Sequence, residues 1–266
     1  MKPITGYDHI LESYNSLGYA VARIFPEKIL TRLRRDVVSI LADACHMDVS
    51  QEPSSFTSVV RLLRSRLCVI YSSTDNTDLV HVIRQLGTIL PLQELAGLED
   101  TGRLLVKLGL SSPVISSPPE FRTDFPNDSK YMQSWHQDWP YTQSSLNSLT
   151  IWTPLHDVDV IDGALNLIPG SHKWGVAPVQ VELNPRKFTI DNVPLEQKIN
   201  VPVAYGESLI FSQLLYHCSG ENKSADARLS FQLRYADVDD IDWKSSGYYR
   251  ADKSVSTFRK YSFPSP

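Results

Sequence analysis

The sequence predicts a mainly β protein with α-helical support, an antiparallel sandwich or barrel with helices buttressing one face. Three observations predict it. Up to about residue 110 apolar residues recur at helical spacing, whereas after about Ser111 they alternate with period two in short runs. Prolines and glycines punctuate those runs, as the turns between antiparallel strands require. Neither a low-complexity linker nor an internal repeat separates the parts, so a single domain over 1–266 is expected. Its parts are 1–110 (mostly helical support), 111–237 (β core) and 238–266 (a C-terminal extension).

In chain order, "YDHILESYNSLG" has helical spacing and closes at Gly18, a C-cap. The short strand "YAVARIF" follows, and Pro26 opens a long helix through Ala44. "FTSVVRLLRSRLCVIYSS" and "TDLVHVIRQLGTILPLQELAG" each read as one helical pattern, and "TGRLLVKLGL" as a short helix ending near Gly109. The strands expected next are "SPVISSP", "LNSLTIWTPL", "GALNLIP", "NVPVAY", "ESLIFSQ" and "ARLSFQLRYAD". Segment 177–198, polar and proline-containing, reads as a long insertion between strands, a common place for an active-site lid.

Bulk properties exclude several classes. The 266 residues carry a formal net charge of -4, with 42% apolar and 21% charged residues. The only basic cluster, Arg32, Arg34 and Arg35, sits in a helical stretch with balancing acids, so nucleic acid and membrane surfaces are not expected partners. Three widely spaced cysteines (Cys45, Cys68, Cys218) without a CxxC argue against a disulfide framework and for a reducing compartment. The charged start and the lack of a long apolar run make a cytoplasmic location the expectation. Oligomeric state is not legible.

Chemistry concentrates in "YMQSWHQDWPYTQ". In an extended strand His136 and Asp138 project from one face while Gln137 points away. An imidazole and a carboxylate are two legs of a 2-His-1-carboxylate face, the set that suits ferrous iron. Alone, an HxD is weak. Three histidines follow: His156 at a strand end before an acidic turn, where exposure is unremarkable; His172 in the turn "IPGSHKWG", with a structural role; and His217, ending the apolar strand "SLIFSQLLYH". In the last strand Arg228, Ser230, Gln232 and Arg234 share one face and Leu229, Phe231, Leu233 and Tyr235 the other. The apolar row can meet the helices, leaving the polar row facing a cavity. A buried arginine there needs an anion: either a small diacid held in bidentate fashion or an intramolecular Asp or Glu.

The stretches "SWHQDWPY", "SLTIWTPLHDVDVIDGALNLIPGSHKWG" and "GESLIFSQLLYHCSGENKSADARLSFQLRY", roughly residues 112 to 237, resemble the phytanoyl-CoA dioxygenase family of iron(II)/2-oxoglutarate oxygenases. The resemblance implies a double-stranded β-helix (jelly-roll, cupin-like) core. It implies His136, Asp138 and His217 as the catalytic iron ligands and Arg228, eleven residues after His217, as the anchor for the distal carboxylate of 2-oxoglutarate. Ser219 and Trp152 match positions that help hold the cosubstrate, and Thr150 shares the face of Trp152. Fe(II), 2-oxoglutarate and O2 are the implied cofactors, and hydroxylation or a related oxidation of a small molecule, with release of succinate and CO2, the implied reaction. Halogenating relatives replace the aspartate; this chain keeps Asp138. Arg122, Gln133, Trp139 and Tyr141 are candidate substrate contacts, although strand parity places Gln133 and Trp139 on the far face from His136. Their mix suits a small polar or anionic metabolite, and no basic cluster would hold CoA phosphates. A cupin-type metalloenzyme that does not use 2-oxoglutarate, or a non-catalytic binding protein on the same fold, are the alternatives.

Overall fold

The helical layer of the computed structural model, which describes residues 7–48, 56–72, 77–128, 132–183 and 186–248, begins with α1 (Asp8–Leu17). It closes at Gly18 as the sequence predicts: φ is +84°, and the Gly18 N–H donates to the Tyr14 carbonyl at 2.8 Å. A side chain there would also run into the His172 ring, so glycine is required twice over. Strand β1 (Tyr19–Ala22) leads through Pro26 into α2 (Glu27–Ala44), with the predicted bounds. α3 (Phe56–Tyr71), α4 (Thr77–Gln85), α5 (Leu90–Ala96) and α6 (Glu99–Lys107) complete the layer. The single helical pattern expected over 77–97 is broken into two. A 3-10 turn, Leu86–Thr88, brings Gly87 against the Pro119 backbone, and Pro91 in the first turn of α5 has no amide to continue the previous helix.

The β body comprises β2 (Pro113–Asp124), β3 (Ser148–Pro154), β4 (Leu165–Leu167), β5 (Val179–Leu183), β6 (Arg186–Ile190), β7 (Ile199–Val201), β8 (Ser208–Ser212), β9 (His217–Cys218) and β10 (Arg228–Asp237). Short helices α7 (Trp139–Thr142) and α8 (Ile241–Ser245) accompany them. The strands form an antiparallel five-stranded sheet, β1-β8-β3-β10-β2, a three-stranded sheet, β7-β4-β9, and a hairpin, β5-β6. This is a jelly-roll core with helices against the larger sheet.

Alternation decides which face meets what. From β10, Leu229, Phe231, Leu233 and Tyr235 are buried together with Leu33, Leu63 and Leu67 of the helices. Trp152, Leu209 and Phe211 turn the other way and pack with Leu165, Leu167 and Val201 of the smaller sheet. Each fully buried side chain of this size contributes about 1.5–3 kcal/mol of transfer free energy, enough to fix the register of a strand whose slip would invert every side chain. The register sets Arg228 opposite Asp124, Ser230 opposite Arg122 and Gln232 opposite Glu120, so β2 and β10 together present a polar row to the interior. A bulge at Pro118–Pro119, on the edge strand β2 where proline costs no ladder bond, shifts Ser117 opposite Arg234.

Three expectations need correction. The His136–Asp138 segment is not a regular strand: it makes one isolated bridge and turns into α7. His217 does not end the strand that begins at Ser208; the chain leaves the larger sheet after Ser212 and His217 opens β9 in the smaller one. Segment 177–198 is not a bare insertion, because the β5-β6 hairpin fills most of it. The described part of the C-terminal extension, 238–248, carries α8; 249–266 lie outside the described residues. All three cysteines are free. Among the described residues no helix is long and apolar enough to cross a membrane.

Candidate active site

The bridge between His136 and His217 builds the centre. Their backbones exchange two hydrogen bonds, 2.9 and 3.0 Å long, a non-local pairing that brings the imidazole centroids within 4.1 Å. Each ring is then oriented by its own chain. Nδ1 of His136 lies 2.7 Å from the Ser134 carbonyl and Nδ1 of His217 2.9 Å from the Leu215 carbonyl. A carbonyl only accepts, so each Nδ1 carries the proton and each Nε2 presents a lone pair.

Those lone pairs converge on one oxygen. Asp138 Oδ1 lies 3.5 Å from His136 Nε2 and 3.7 Å from His217 Nε2. Its other oxygen, Oδ2, accepts from the Thr150 hydroxyl at 2.6 Å and from Arg234 Nε at 3.3 Å. Thr150 and Arg234 are register partners on β3 and β10, so one rung of the larger sheet grips the carboxylate. Burial alone would raise the Asp138 pKa; the Arg234 guanidinium and the two imidazoles hold it well below the usual range. Burial, aided by the neighbouring His136, pushes His217 down to about 3. The centre therefore offers two imidazole nitrogens and one carboxylate, all buried, with ligand atoms within 4.8 Å of one another. Two nitrogens and one carboxylate oxygen on one side of a cavity fit a divalent transition metal with open positions, ferrous iron above all.

The cavity beside this centre has a volume of about 250 Å³. Of the residues singled out from sequence, Arg122, Gln133, Tyr141, Trp152, Ser219 and Arg228 line it together with His136, Asp138 and His217. Gln133 reaches it because the segment before His136 is irregular, which removes the parity objection. Two residues do not line it. Thr150 instead lies behind Asp138 as described, and Trp139 is buried in α7, donating its indole N–H to the Ser144 carbonyl at 2.9 Å. Gln137 points away from the centre as strand parity predicts and anchors the loop behind it, bonding the Gly175 and Leu214 carbonyls and the Ala177 amide.

Arg228 is 1% exposed and, of the two anions open at the sequence level, meets the intramolecular one. Its Nη2 pairs with Asp124 Oδ2 at 2.7 Å and its Nη1 donates to the Gly163 carbonyl, while the guanidinium lies 5.6 Å from the Trp152 ring. Nε has no acceptor. A buried donor without a partner costs about 1–3 kcal/mol. Ser219 also offers a donor: its oxygen accepts from the Gln133 amide at 3.2 Å, leaving the hydroxyl hydrogen for a ligand. Burial would raise Asp124, yet Arg122 and Arg228 outweigh it and bring its pKa to about 2.

Sequence reading missed three participants. Glu120 and Asp124 escaped because their significance lies in register with β10, which sequence does not display. His156 is not an exposed strand-end residue: it is buried, and its Nε2 accepts the Leu229 amide at 3.1 Å, next in the chain to Arg228. Burial, then the nearby Arg64 charge, lowers it to about 4, so it stays neutral and keeps accepting. Arg64 donates from Nε to the Ala227 carbonyl at 2.6 Å, bracketing Arg228 from the other side.

Comparison with known proteins shows what this chain is similar to. Residues 103–230 match the family model of phytanoyl-CoA dioxygenase (PhyH). A phytanoyl-CoA dioxygenase of Arabidopsis thaliana is 28% identical over 122 residues, 44% of this chain and 43% of that protein. The peroxisomal enzyme of Bos taurus is 27% identical over 143 residues, 48% of this chain and 42% of that protein. The matches thus span less than half the length of these curated relatives. Among solved structures, EvdO2 from Micromonospora carbonacea var. aurantiaca superposes with a TM-score of 0.60 at 18% identity over 90% of this chain and 96% of that one. The epimerase SnoN, solved with Fe3+, alpha ketoglutarate and nogalamycin RO, gives 0.57 at 19% identity over 86% and 83%. At such identities these structures establish the fold.

Proposed function

We propose that this relative of the phytanoyl-CoA dioxygenases is an iron(II)- and 2-oxoglutarate-dependent oxygenase that hydroxylates, or otherwise oxidises, an unactivated C–H bond of a small molecule. The observation that carries the proposal is the convergence of His136, Asp138 and His217 at the wall of a cavity that the buried Arg228 also lines. When bound, iron and 2-oxoglutarate would supply the oxidising power, O2 being reduced as 2-oxoglutarate is decarboxylated to succinate and CO2.

The chain's own residues do the rest. His136 and His217 present Nε2 because carbonyls hold their Nδ1 protons. Asp138 offers Oδ1 because Thr150 and Arg234 occupy Oδ2. Arg228 and Ser219 would take the distal carboxylate of 2-oxoglutarate, with Trp152 flanking it, which leaves the keto-acid end free to reach the triad. Phe211, 4.7 Å from the His217 ring, and Leu165 keep water away from that end. Substrate would enter from the side of Arg122, Gln133 and Tyr141. A metalloenzyme of the same fold without 2-oxoglutarate would have no need of a buried arginine at this wall.

Anaerobic titration of the protein with iron(II) and then 2-oxoglutarate tests the reading. The expected result is the visible charge-transfer band of the chelate, followed under air by slow release of succinate. Absence of the band at saturating concentrations overturns it.

A further inference from the structure

A second cavity, about 200 Å³, lies against the first. Glu120, Arg122 and Gln133 line both, so the two share a wall at the edge strand β2. Its character differs. Val80 and Ile83 of α4 face Phe121 of β2 and Phe125 just after it, and Tyr71 of α3 stacks on Phe125 with ring centroids 3.7 Å apart and planes 4° from parallel. The Tyr71 hydroxyl donates to Asp128 at 2.7 Å, which holds the stack in place. Flat aromatic walls favour flat apolar guests, because ring stacking adds to area burial.

Of the three charged residues that line this cavity, Arg84, Glu120 and Arg122, one stands apart. Arg84, in the last turn of α4, lines it, is exposed, and pairs with no carboxylate among the described residues. The other cation, Arg122, is already balanced: it meets Asp124 at 3.0 Å and feels Glu120 beside it. A second anion placed at the shared wall would face Glu120; one placed at Arg84 would not.

Accepting the oxygenase reading of the first cavity, we infer that the substrate is a ring-bearing monocarboxylic acid that spans both cavities. The carbon to be oxidised lies beside the triad, the ring lies between α4 and the Phe121–Phe125 stretch, and the carboxylate meets Arg84. The polar wall of Glu120, Arg122 and Gln133 at the crossing suits a hydroxyl, ether or amide in the middle of such a molecule. Neither cavity is large enough to need a long acyl chain, and Arg84 alone is a poor match for a polyphosphate.

The test is ligand-detected saturation-transfer NMR with a panel of aryl and cycloalkyl carboxylates, their primary amides, and linear alkanoates of equal carbon number. It is run on metal-free protein and again anaerobically with iron(II) and 2-oxoglutarate. Ring acids are expected to bind, more tightly than both their amides and the linear acids. Arg84→Glu, a change at an exposed side chain, should weaken ring acids about fivefold, from one exposed ion pair turned into a repulsion, and leave the amides unaffected. Ile83→Arg, which fills the apolar cleft, should abolish binding of both. Equal binding of acids and amides, of ring and linear acids, or undiminished acid binding in Arg84→Glu would overturn the inference. The chelate band in the same samples separates the two readings: a band without ring-acid binding sinks the substrate class alone, and ring-acid binding without a band sinks the oxygenase reading alone.

Discussion

Replacing Thr150 by valine removes one hydroxyl and almost no volume from a fully buried site. That hydroxyl, 0% exposed, donates to Asp138 Oδ2 at 2.6 Å, and the remaining partner of that oxygen, Arg234 Nε, is at 3.3 Å. A hydrogen bond to a charged group contributes about 1.5–3 kcal/mol. Part of that stabilises the metal-free fold, and part holds Oδ1 towards the two Nε2 atoms. If half or more of it goes to orientation, metal affinity falls about tenfold, and up to about a hundredfold if it all does, which is the range found for partners of metal ligands elsewhere. Competition against a chromophoric chelator, with iron(II) under anaerobic conditions or with zinc, reads the affinity directly. Thr150→Ser, which restores the donor, should recover most of the loss, and 2-oxoglutarate affinity measured at saturating metal should barely change in either variant. Metal affinity of Thr150→Val within twofold of the parent, or failure of the serine to rescue, would refute the claim that this hydroxyl orients the ligand.

Arg228→Ala should weaken 2-oxoglutarate binding about tenfold to a hundredfold and metal binding much less, since its contacts are with Asp124, Gly163 and, on the proposed reading, the cosubstrate rather than with the metal triad; Arg228→Lys keeps charge without the planar fork and should fall between. Equilibrium titrations of both ligands decide it, and unchanged 2-oxoglutarate affinity would refute the anchor. For pH dependence, His156 is the group to follow: burial sets its folded pKa at about 4, below the ordinary value of 6.5. A folded pKa below the unfolded one means stability is complete above pH 6.5 and is lost as pH falls towards 4, at about 1.4 kcal/mol per unit for this one group. Urea unfolding of metal-free protein at pH 7 and pH 5 should therefore show a smaller loss in His156→Gln than in the parent. Finally, Gly220→Ala should destabilise by about 1–3 kcal/mol in the same assay, because an added methyl would collide with the Ala164 carbonyl and the Gly163 backbone, neither of which can rotate away.

The residues that bear chemistry were legible because their types are improbable where they stand. His136 and Asp138 interrupt an aromatic run, and Arg228 begins a strand whose alternate residues are apolar. The large helices were legible from periodicity and from Gly18 and Pro26. What stayed hidden depends on non-local pairing. His156 reads as a turn histidine until the fold delivers the Leu229 amide to it. Glu120 and Asp124 carry no signal in the sequence until register sets them opposite Gln232 and Arg228. The helix expected over 77–97 failed because Gly87 packs against Pro119, a contact from a different element. The β5-β6 hairpin was missed because its polar composition hides the alternation; Phe188, against the Tyr141 ring at 4.8 Å, and the Ile190 amide, bonding the Trp135 carbonyl at 2.8 Å, are what tie it to the rest.

The polar row on β2 and β10 explains why so much charge is tolerated inside. Arg122, Arg228 and Arg234 meet Glu120, Asp124 and Asp138, three cations against three anions, each arginine paired with at least one of the acids. Arginines and acids alternate in space, so no charge is buried without its complement, and the formal sum is zero before any ligand arrives. A divalent cation at the triad alone would leave two positive charges in a low-dielectric cavity, and a dianion beside Arg228 alone would leave two negative ones. Bound together they cancel again. The arrangement therefore favours joint over separate occupancy, and by linkage each ligand must tighten the other by the same factor. It also accounts for Asp124: without it Arg228 would be a buried, uncompensated cation whenever the cosubstrate is away, a state that costs a fold several kcal/mol. On the proposed reading, Arg228 can wait in the wall because Asp124 on the neighbouring strand supplies the complementary charge.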